Sequence, residues 1–304
     1  MKCLRNLLGG LGVTRVIWKD VAENYLDLRD CSKDYRSNLY STAKKMQGCG
    51  LTVTNVTPDL FNTFITSLKK VSSVTRANYR RQGLTLVKHL LGVRFEKFNH
   101  QVKKVKSSFP PPVAWSKSEM KTLVATAASL PGFIQRSECP AKLYFSTWIL
   151  VAYETGIRWS DQFELKALQL RGERLFVMQN KTRQPIGKRL SLQAQELLAQ
   201  MIQRSPDGTI FKWAINERNQ RIRFQRLIAE AGLIGTPKFL RRSGATYVEA
   251  EQPGAASVFL GHRSPEVAEM SYIDTTLIPS RSPKPPSLFE FSTSAEDCPA
   301  VSSP

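Results

Sequence analysis

Three consecutive prolines, Pro110-Pro111-Pro112, interrupt the chain well before its midpoint. Each fixes its backbone φ and lacks an N–H, so neither a helix interior nor a central strand can run through them. Lys103, Lys104, Lys106 and Ser107-Ser108 come just before, which makes 101–114 a basic linker stiffened by polyproline. The chain must therefore fold as separate bodies on either side. Its 304 residues suffice for two domains, each with its own core.

Ahead of the linker the pattern is helical. Val16, Trp18, Val21, Tyr25 and Leu28 recur at near-helical spacing, and a second helix is predicted over 32–46, before Gly48 and Gly50. Thr57-Pro58-Asp59 opens a third, with Leu60, Phe61, Phe64, Ile65 and Leu68 as its apolar stripe. A fourth spans 75–91 and carries Arg76, Arg80, Arg81 and Lys88. Together with Lys103, Lys104 and Lys106 these are candidate contacts to a phosphate backbone; the competing reading is a solvated helix face. A helical domain over 15–100 is expected, after an N-terminal extension 1–14.

Beyond the linker, Ser116-Lys117-Ser118-Glu119 is a capping box. A largely buried helix is expected over 141–154, ending at Thr155-Gly156. Short β segments follow at 168–170, 174–179 and 187–192, the last two flanking the turn-rich 180–185. Helices resume over 193–203 and 217–231. Thr236 and Pro237 read as the cap and first residue of a helix that carries Lys238 and Arg241 on one face. Pro253-Gly254 ends it, Gly261 turns the next short apolar run, and Ser264-Pro265-Glu266 starts a helix bearing Tyr272. The second domain spans 115–277. The stretch 278–304 is rich in Pro and Ser and reads as a disordered tail with one apolar spot, Leu288 to Phe291. The fold class expected is mainly α with a small antiparallel β-sheet.

Charge narrows the partner. The 44 Lys+Arg against 25 Asp+Glu leave +19, an excess that points to a polyanion, most simply nucleic acid. A membrane surface is the alternative, but no strongly amphipathic basic helix supports it, and the longest apolar stretch, Trp148 to Tyr153 with its flanks, is too short to span a bilayer. Cys3, Cys31, Cys49, Cys139 and Cys298 are scattered without a CxxC pair, and only three histidines accompany them. Neither a disulfide framework nor a zinc site is expected, and a reducing cytoplasm fits.

Near the C-terminus, Lys238, Arg241, His262 and Tyr272 gather cations, a histidine and a phenol within a few helical turns, a set suited to a phosphodiester. Each residue alone has an ordinary explanation. Arg158 with Asp161 makes a structural ion pair, Lys181 a solvated turn lysine, His262 a satisfied core histidine, and Tyr272 half-buried packing. Order and spacing decide between the two. The chain resembles the tyrosine recombinase (phage integrase) family along nearly its whole length after residue 15. The family's T-G-x-R-x-x-E/D box is matched by Thr155 to Asp161, with Arg158 as its arginine, and its hairpin lysine by Lys181 in Gln179-Asn180-Lys181-Thr182. The His/Lys-x-x-Arg box falls on Lys238 and Arg241, the Leu-Gly-His box on Leu260-Gly261-His262, and the nucleophile on Tyr272.

The chemistry has a reason to use these residues. Arg158 and Arg241 can each offer a fork of donors to the non-bridging oxygens, work done elsewhere by a divalent metal, so no metal or cofactor is expected. Nearby cations favour the phenolate of Tyr272. The resemblance implies that Tyr272 forms a 3′-phosphotyrosyl link, that Lys181 protonates the leaving 5′-oxygen, and that His262 bonds a non-bridging oxygen or the tyrosine. It implies that Asp161 orients Arg158. The chief departure is Lys238, where histidine is commoner; a lysine keeps a donor but does not readily accept a proton near neutral pH. The helical first domain looks like the family's core-binding domain, and no separate arm-binding domain is expected ahead of residue 15. The resemblance further implies double-stranded DNA as partner, a homotetramer on synapsed DNA, a tail that docks on a neighbouring protomer, and a phage or mobile element acting at the nucleoid. The alternatives are a type IB topoisomerase and a catalytically silent DNA-binding protein on the same scaffold.

Overall fold

The computed structural model describes residues 16–108, 110–134, 137–262 and 264–278. The polypeptide divides between Pro110 and Pro111 into two compact units.

Hydroxyl caps set the helices of the first unit. Ser32, Thr57 and Ser72 each accept the backbone N–H three residues on, opening α2 (Lys33–Gly48), α3 (Pro58–Ser67) and α4 (Ser73–Leu91); α1 (Trp18–Asp27) precedes them. Trp18, Leu39, Met46, Phe61, Phe64, Leu86 and Val87 form the dry centre, each at most 1% exposed. The Trp18 indole N–H donates to the Leu51 carbonyl at 2.6 Å and ties the loop after α2 to α1. Among the described residues the structure adds to the four helices expected a further one, α5 (Phe95–His100), entered through a 3-10 turn at Gly92–Arg94. It buries Phe98 against Phe61, with ring centroids 5.9 Å apart. Six residues are too few to display a helical period in the sequence.

Of the candidate phosphate contacts in this unit, Arg81, Lys88, Lys103, Lys104 and Lys106 are exposed. Arg76 is half-buried, its Nε enclosed without a partner. Arg80 is engaged within the unit: Nε donates to the Lys103 carbonyl at 2.8 Å and Nη2 reaches that of Val102 at 3.4 Å, which staples α4 to the start of the basic segment.

In the second unit the Ser116 capping box opens α6 (Lys117–Ala128), with Ser116 and Glu119 satisfying one another's backbone N–H groups. At the centre lies α7 (Ala141–Thr155), apolar nearly all round and packed by α6, α9 (Leu192–Arg204) and α11 (Lys238–Glu251). Trp148 meets Phe211 at 4.7 Å between centroids and Trp159 at 4.4 Å, the latter opening α8 (Trp159–Phe163). A three-stranded antiparallel sheet follows: β1 (Leu170–Arg171), β2 (Arg174–Met178) and β3 (Pro185–Arg189), in the order β1-β2-β3. Leu175 and Val177 face the core; Lys188 lies across from the first and Ile186 from the second. After α10 (Glu217–Glu230) and α11, the short α12 (Ala256–Leu260) and α13 (Pro265–Tyr272) sit on Ala245, Ala256, Leu260, Ala268, Ile273 and Ile278.

The fold is mainly α with one small antiparallel sheet. Most helix ends fall within two residues of expectation; the differences that bear on the site are these. The first strand lies at Leu170–Arg171, because Ala167–Gln169 wind into a 3-10 turn instead of extending. The second stops at Met178, which leaves Gln179 in the connection, and the third runs Pro185–Arg189 instead of 187–192, because Ser191 caps α9. Finally, α11 begins at Lys238 with Pro237 as its cap, one residue later than read from Thr236-Pro237. The extension 1–14, the segment Leu288 to Phe291, Cys3 and Cys298 lie outside the described residues. Among the described residues Cys31, Cys49 and Cys139 are free thiols, and no helix is long and apolar enough to cross a membrane.

Candidate active site

The site begins at a helix end that only glycine closes well. Gly156 caps α7 in the left-handed conformation, φ 58°, and the Phe259 ring lies where a Cβ would project. Two residues later Arg158 stands as the cap of α8. Its Nη1 donates to Gln179 Oε1 at 2.7 Å and lies 3.9 Å from Asp161 Oδ2. Asp161 is 4% exposed, and its other oxygen accepts the Asn180 N–H at 3.2 Å. One carboxylate thus aligns the first arginine and the base of the hairpin together.

Arg241, one turn into α11, is 5% exposed. It donates to the Gly156 carbonyl through Nη1, and Nη2 reaches the Leu260 carbonyl at 3.0 Å and His262 Nε2 at 3.2 Å. Burial pulls its pKa down to about 10, which leaves it charged at neutral pH, and the Tyr272 side chain favours that charge. Gly261, φ 63°, turns the chain from α12 into His262, whose N–H donates to the Ser257 carbonyl at 2.8 Å. Burial, then the charges of Arg241, Arg158 and Lys181, pull His262 down to about 4, so the ring is neutral at pH 7.

Tyr272 ends α13. Its ring centroid lies 5.0 Å from that of His262 in an edge-on contact, 5.0 Å from the Arg241 guanidinium carbon and 5.3 Å from Lys238 Nζ. The strand of chain beyond it is pinned. Asp274 accepts the Ala114 N–H at 3.0 Å and donates its own N–H to Thr246 Oγ1 at 3.0 Å. Lys238 has its pKa lowered by partial burial and by the Arg242 charge. Arg158, Lys238, Arg241 and Tyr272 line one cavity of about 310 Å³, with Trp159 and Arg221 across from them.

The structure therefore brings Arg158, Lys238, Arg241 and Tyr272 to one cavity and sets His262 and Asp161 against them. Lys181 is exposed on the β2–β3 connection, where its charge is felt at both Lys238 and His262. Arg76, Arg80, Arg81, Lys88, Lys103, Lys104 and Lys106 belong to the first unit. Two contributors escaped the sequence reading. Gln179 is fully buried and takes Arg158 and the Thr182 hydroxyl on one oxygen, at 2.7 and 2.6 Å, while its amide donates to the Leu260 carbonyl at 3.1 Å. A glutamine before a turn carries no charge or period to mark such a role. Arg221 stacks its guanidinium carbon 5.4 Å from the Trp159 ring and pairs with Glu217 at 2.7 Å; in sequence it is one more cation on a charged helix.

Solved structures share the fold at low identity. A lambda integrase dimer bound to a COC' core site aligns at TM-score 0.69 and 18% identity, over 90% of this chain and 79% of that one. The XerH site-specific recombinase in a post-cleavage complex with palindromic difH substrate aligns at 0.65 and 15%, over 92% and 85%. The Tn1549 transposon integrase in complex with circular intermediate DNA aligns at 0.60 and 10%, over 88% of this chain and the whole of that one. At such identities the likeness is one of fold. A search of curated protein sequences finds no match. The model of the phage integrase family matches residues 115–277, more than half of the 304, and the chain belongs to that family.

Proposed function

We propose that the protein is a site-specific DNA recombinase that breaks and rejoins double-stranded DNA through a covalent link to Tyr272, in the service of a phage or mobile element. The observation that carries this reading is that Arg158, Arg241, Lys238 and Tyr272 line one cavity. A phosphodiester in it would face guanidinium forks from Arg158 and Arg241, whose donors favour the charge that builds on the non-bridging oxygens. The phenol ring lies 5.0 Å from the Arg241 guanidinium carbon and 5.3 Å from Lys238 Nζ, and its proton leaves to water as it attacks. The phenolic oxygen attacks phosphorus, the bond to the 5′-oxygen breaks, and that oxygen takes a proton from Lys181 on the exposed connection. The 3′-phosphotyrosine keeps the bond energy for rejoining, when a 5′-hydroxyl attacks and returns its proton.

Neutral His262 serves as a hydrogen-bonding group. With Nε2 facing Arg241, its proton belongs on Nδ1, which is enclosed by the protein. Asp161 and Gln179 hold Arg158 from behind. The basic helical unit and the segment around Lys103 to Lys106 track the DNA backbone, within the boundaries 15–100 for the core-binding domain and 101–114 for the linker. The lambda integrase tetramer was solved bound to a Holliday junction; by analogy, four copies of this chain would synapse two duplexes and exchange strands in pairs, in the cytoplasm at the nucleoid.

A plasmid bearing two copies of the DNA that flanks the coding region tests the reading. Recombination between the copies, lost with Tyr272→Phe, is the expected result. Relaxation without recombination would indicate a topoisomerase, and a salt-sensitive gel shift without any strand cleavage would indicate a silent binder.

A further inference from the structure

The core face of the sheet holds a residue whose chemistry does not belong there. Lys188 on β3 sits opposite Leu175 and is 9% exposed. No carboxylate among the described residues pairs with it. Its Nζ donates to the Phe259 carbonyl, stands 3.5 Å from that of Val258, and lies 4.9 Å over the Phe259 ring. These carbonyls belong to the last turn of α12, where intrahelical partners run out. The next one, on Leu260, takes Arg241 at 3.0 Å and Gln179 at 3.1 Å. Three successive carbonyls are thus held by donors from three parts of the fold, and Gly261-His262 follow at once. The Phe259 ring in turn fills the space left by Gly156, before Arg158, and lies 3.1 Å from where a Cβ on Gly244 would stand.

We propose that Lys188 is a positioning residue for the recombination site, a latch that holds the end of α12 so that His262 keeps its place against Arg241 and moves with the hairpin carrying Lys181. Its functional consequence rests on the recombinase reading; the latch does not. A lysine suits the task because its stem crosses an apolar layer and its head brings three donors to carbonyls. Burial, and then the Arg241 charge, lower its pKa to about 8. An apolar side chain of similar length is tolerated at such a site, or even stabilising, because the cost of burying a charge disappears with it. Lys188→Met therefore separates positioning from bulk stability.

The test uses the full chain, with Lys188→Gln as a second variant that keeps a shorter donor. Three quantities are read: the melting temperature, amide exchange of residues 257–262, and the imidazole NMR signals of His262 at pH 6. Lys188→Met is expected to melt at or above the parent, while the Gly261 and His262 amides, now bonded to Val258 and Ser257, exchange roughly tenfold faster or more. His262, neutral at pH 6 in the parent, gains a protonated fraction in the variant as its ring gains water, although Arg241, Arg158 and Lys181 still face it. Lys188→Gln should fall between the two. A folded Lys188→Met with parental exchange and a parental imidazole spectrum overturns the proposal, as does a large loss of melting temperature with exchange accelerated throughout the unit. Loosening at 257–262 in a protein whose parent forms no covalent adduct on its flanking DNA would sink the recombinase reading and leave the latch standing.

Discussion

Arg241 Nη2 stands 3.2 Å from His262 Nε2, a guanidinium against a neutral imidazole. A cation can only donate, so the ring nitrogen facing it accepts, and the ring proton sits on the other nitrogen. The folded chain holds His262 near 4, against an ordinary value of 6.5. Between those limits the unfolded chain binds a proton that the folded chain refuses, so this residue lowers stability as pH falls from 6.5 toward 4 and has no effect above. Melting curves across that window should therefore fall more steeply for the parent than for His262→Asn. Parallel curves would mean that the ring is not held neutral.

Gln179 gives Arg158 its shortest contact, at 2.7 Å. Gln179→Leu keeps the volume and removes the acceptor, so the guanidinium loses its alignment while the rest of the cavity stays. Cleavage from bound DNA should slow by about 10- to 100-fold with little change in DNA affinity. Equal losses in affinity and rate would make Gln179 a general structural residue.

Gly156→Ala places a methyl group on a left-handed residue and into the Phe259 ring. The backbone cost and the collision together should lower stability by about 2 kcal/mol or more, read as a lower urea midpoint at unchanged slope. An unchanged midpoint would show that the turn before Arg158 can relax.

Arg80 and Lys104 should separate cleanly, because one is stapled to backbone and the other is exposed. Arg80→Met should destabilise the first unit by about 1 to 2 kcal/mol through its lost carbonyl contacts. Lys104→Ala should leave stability alone and reduce the salt dependence of DNA binding by about one ion. The reverse pattern would exchange their roles.

What could be read beforehand follows from how local each signal is. Capping hydroxyls and proline-glycine breaks act within a few residues, so Ser116, Thr57, Gly156 and Gly261 marked their turns in the sequence itself. The cavity residues Arg158, Lys238, Arg241 and Tyr272 were found because charged and phenolic groups recur in a recognisable order. Gln179 and Lys188 were not. Their partners lie 81 and 71 residues away, on the end of α12, and nothing short-range marks a glutamine or lysine as a bridge. Arg80 misled for the complementary reason: a cation on a helix reads as solvated until the chain returns 23 residues later to accept from it.

The nucleophile proposed for strand cleavage is the Tyr272 phenol. Its most direct measurement is mass spectrometry of the peptide joined to DNA when the full chain meets a nicked suicide duplex of its flanking attachment sequence. The expected result is one cross-linked peptide, carrying a 3′-phosphate ester on Tyr272, and none from Tyr272→Phe. An adduct on another residue, or one that persists in Tyr272→Phe, would contradict it.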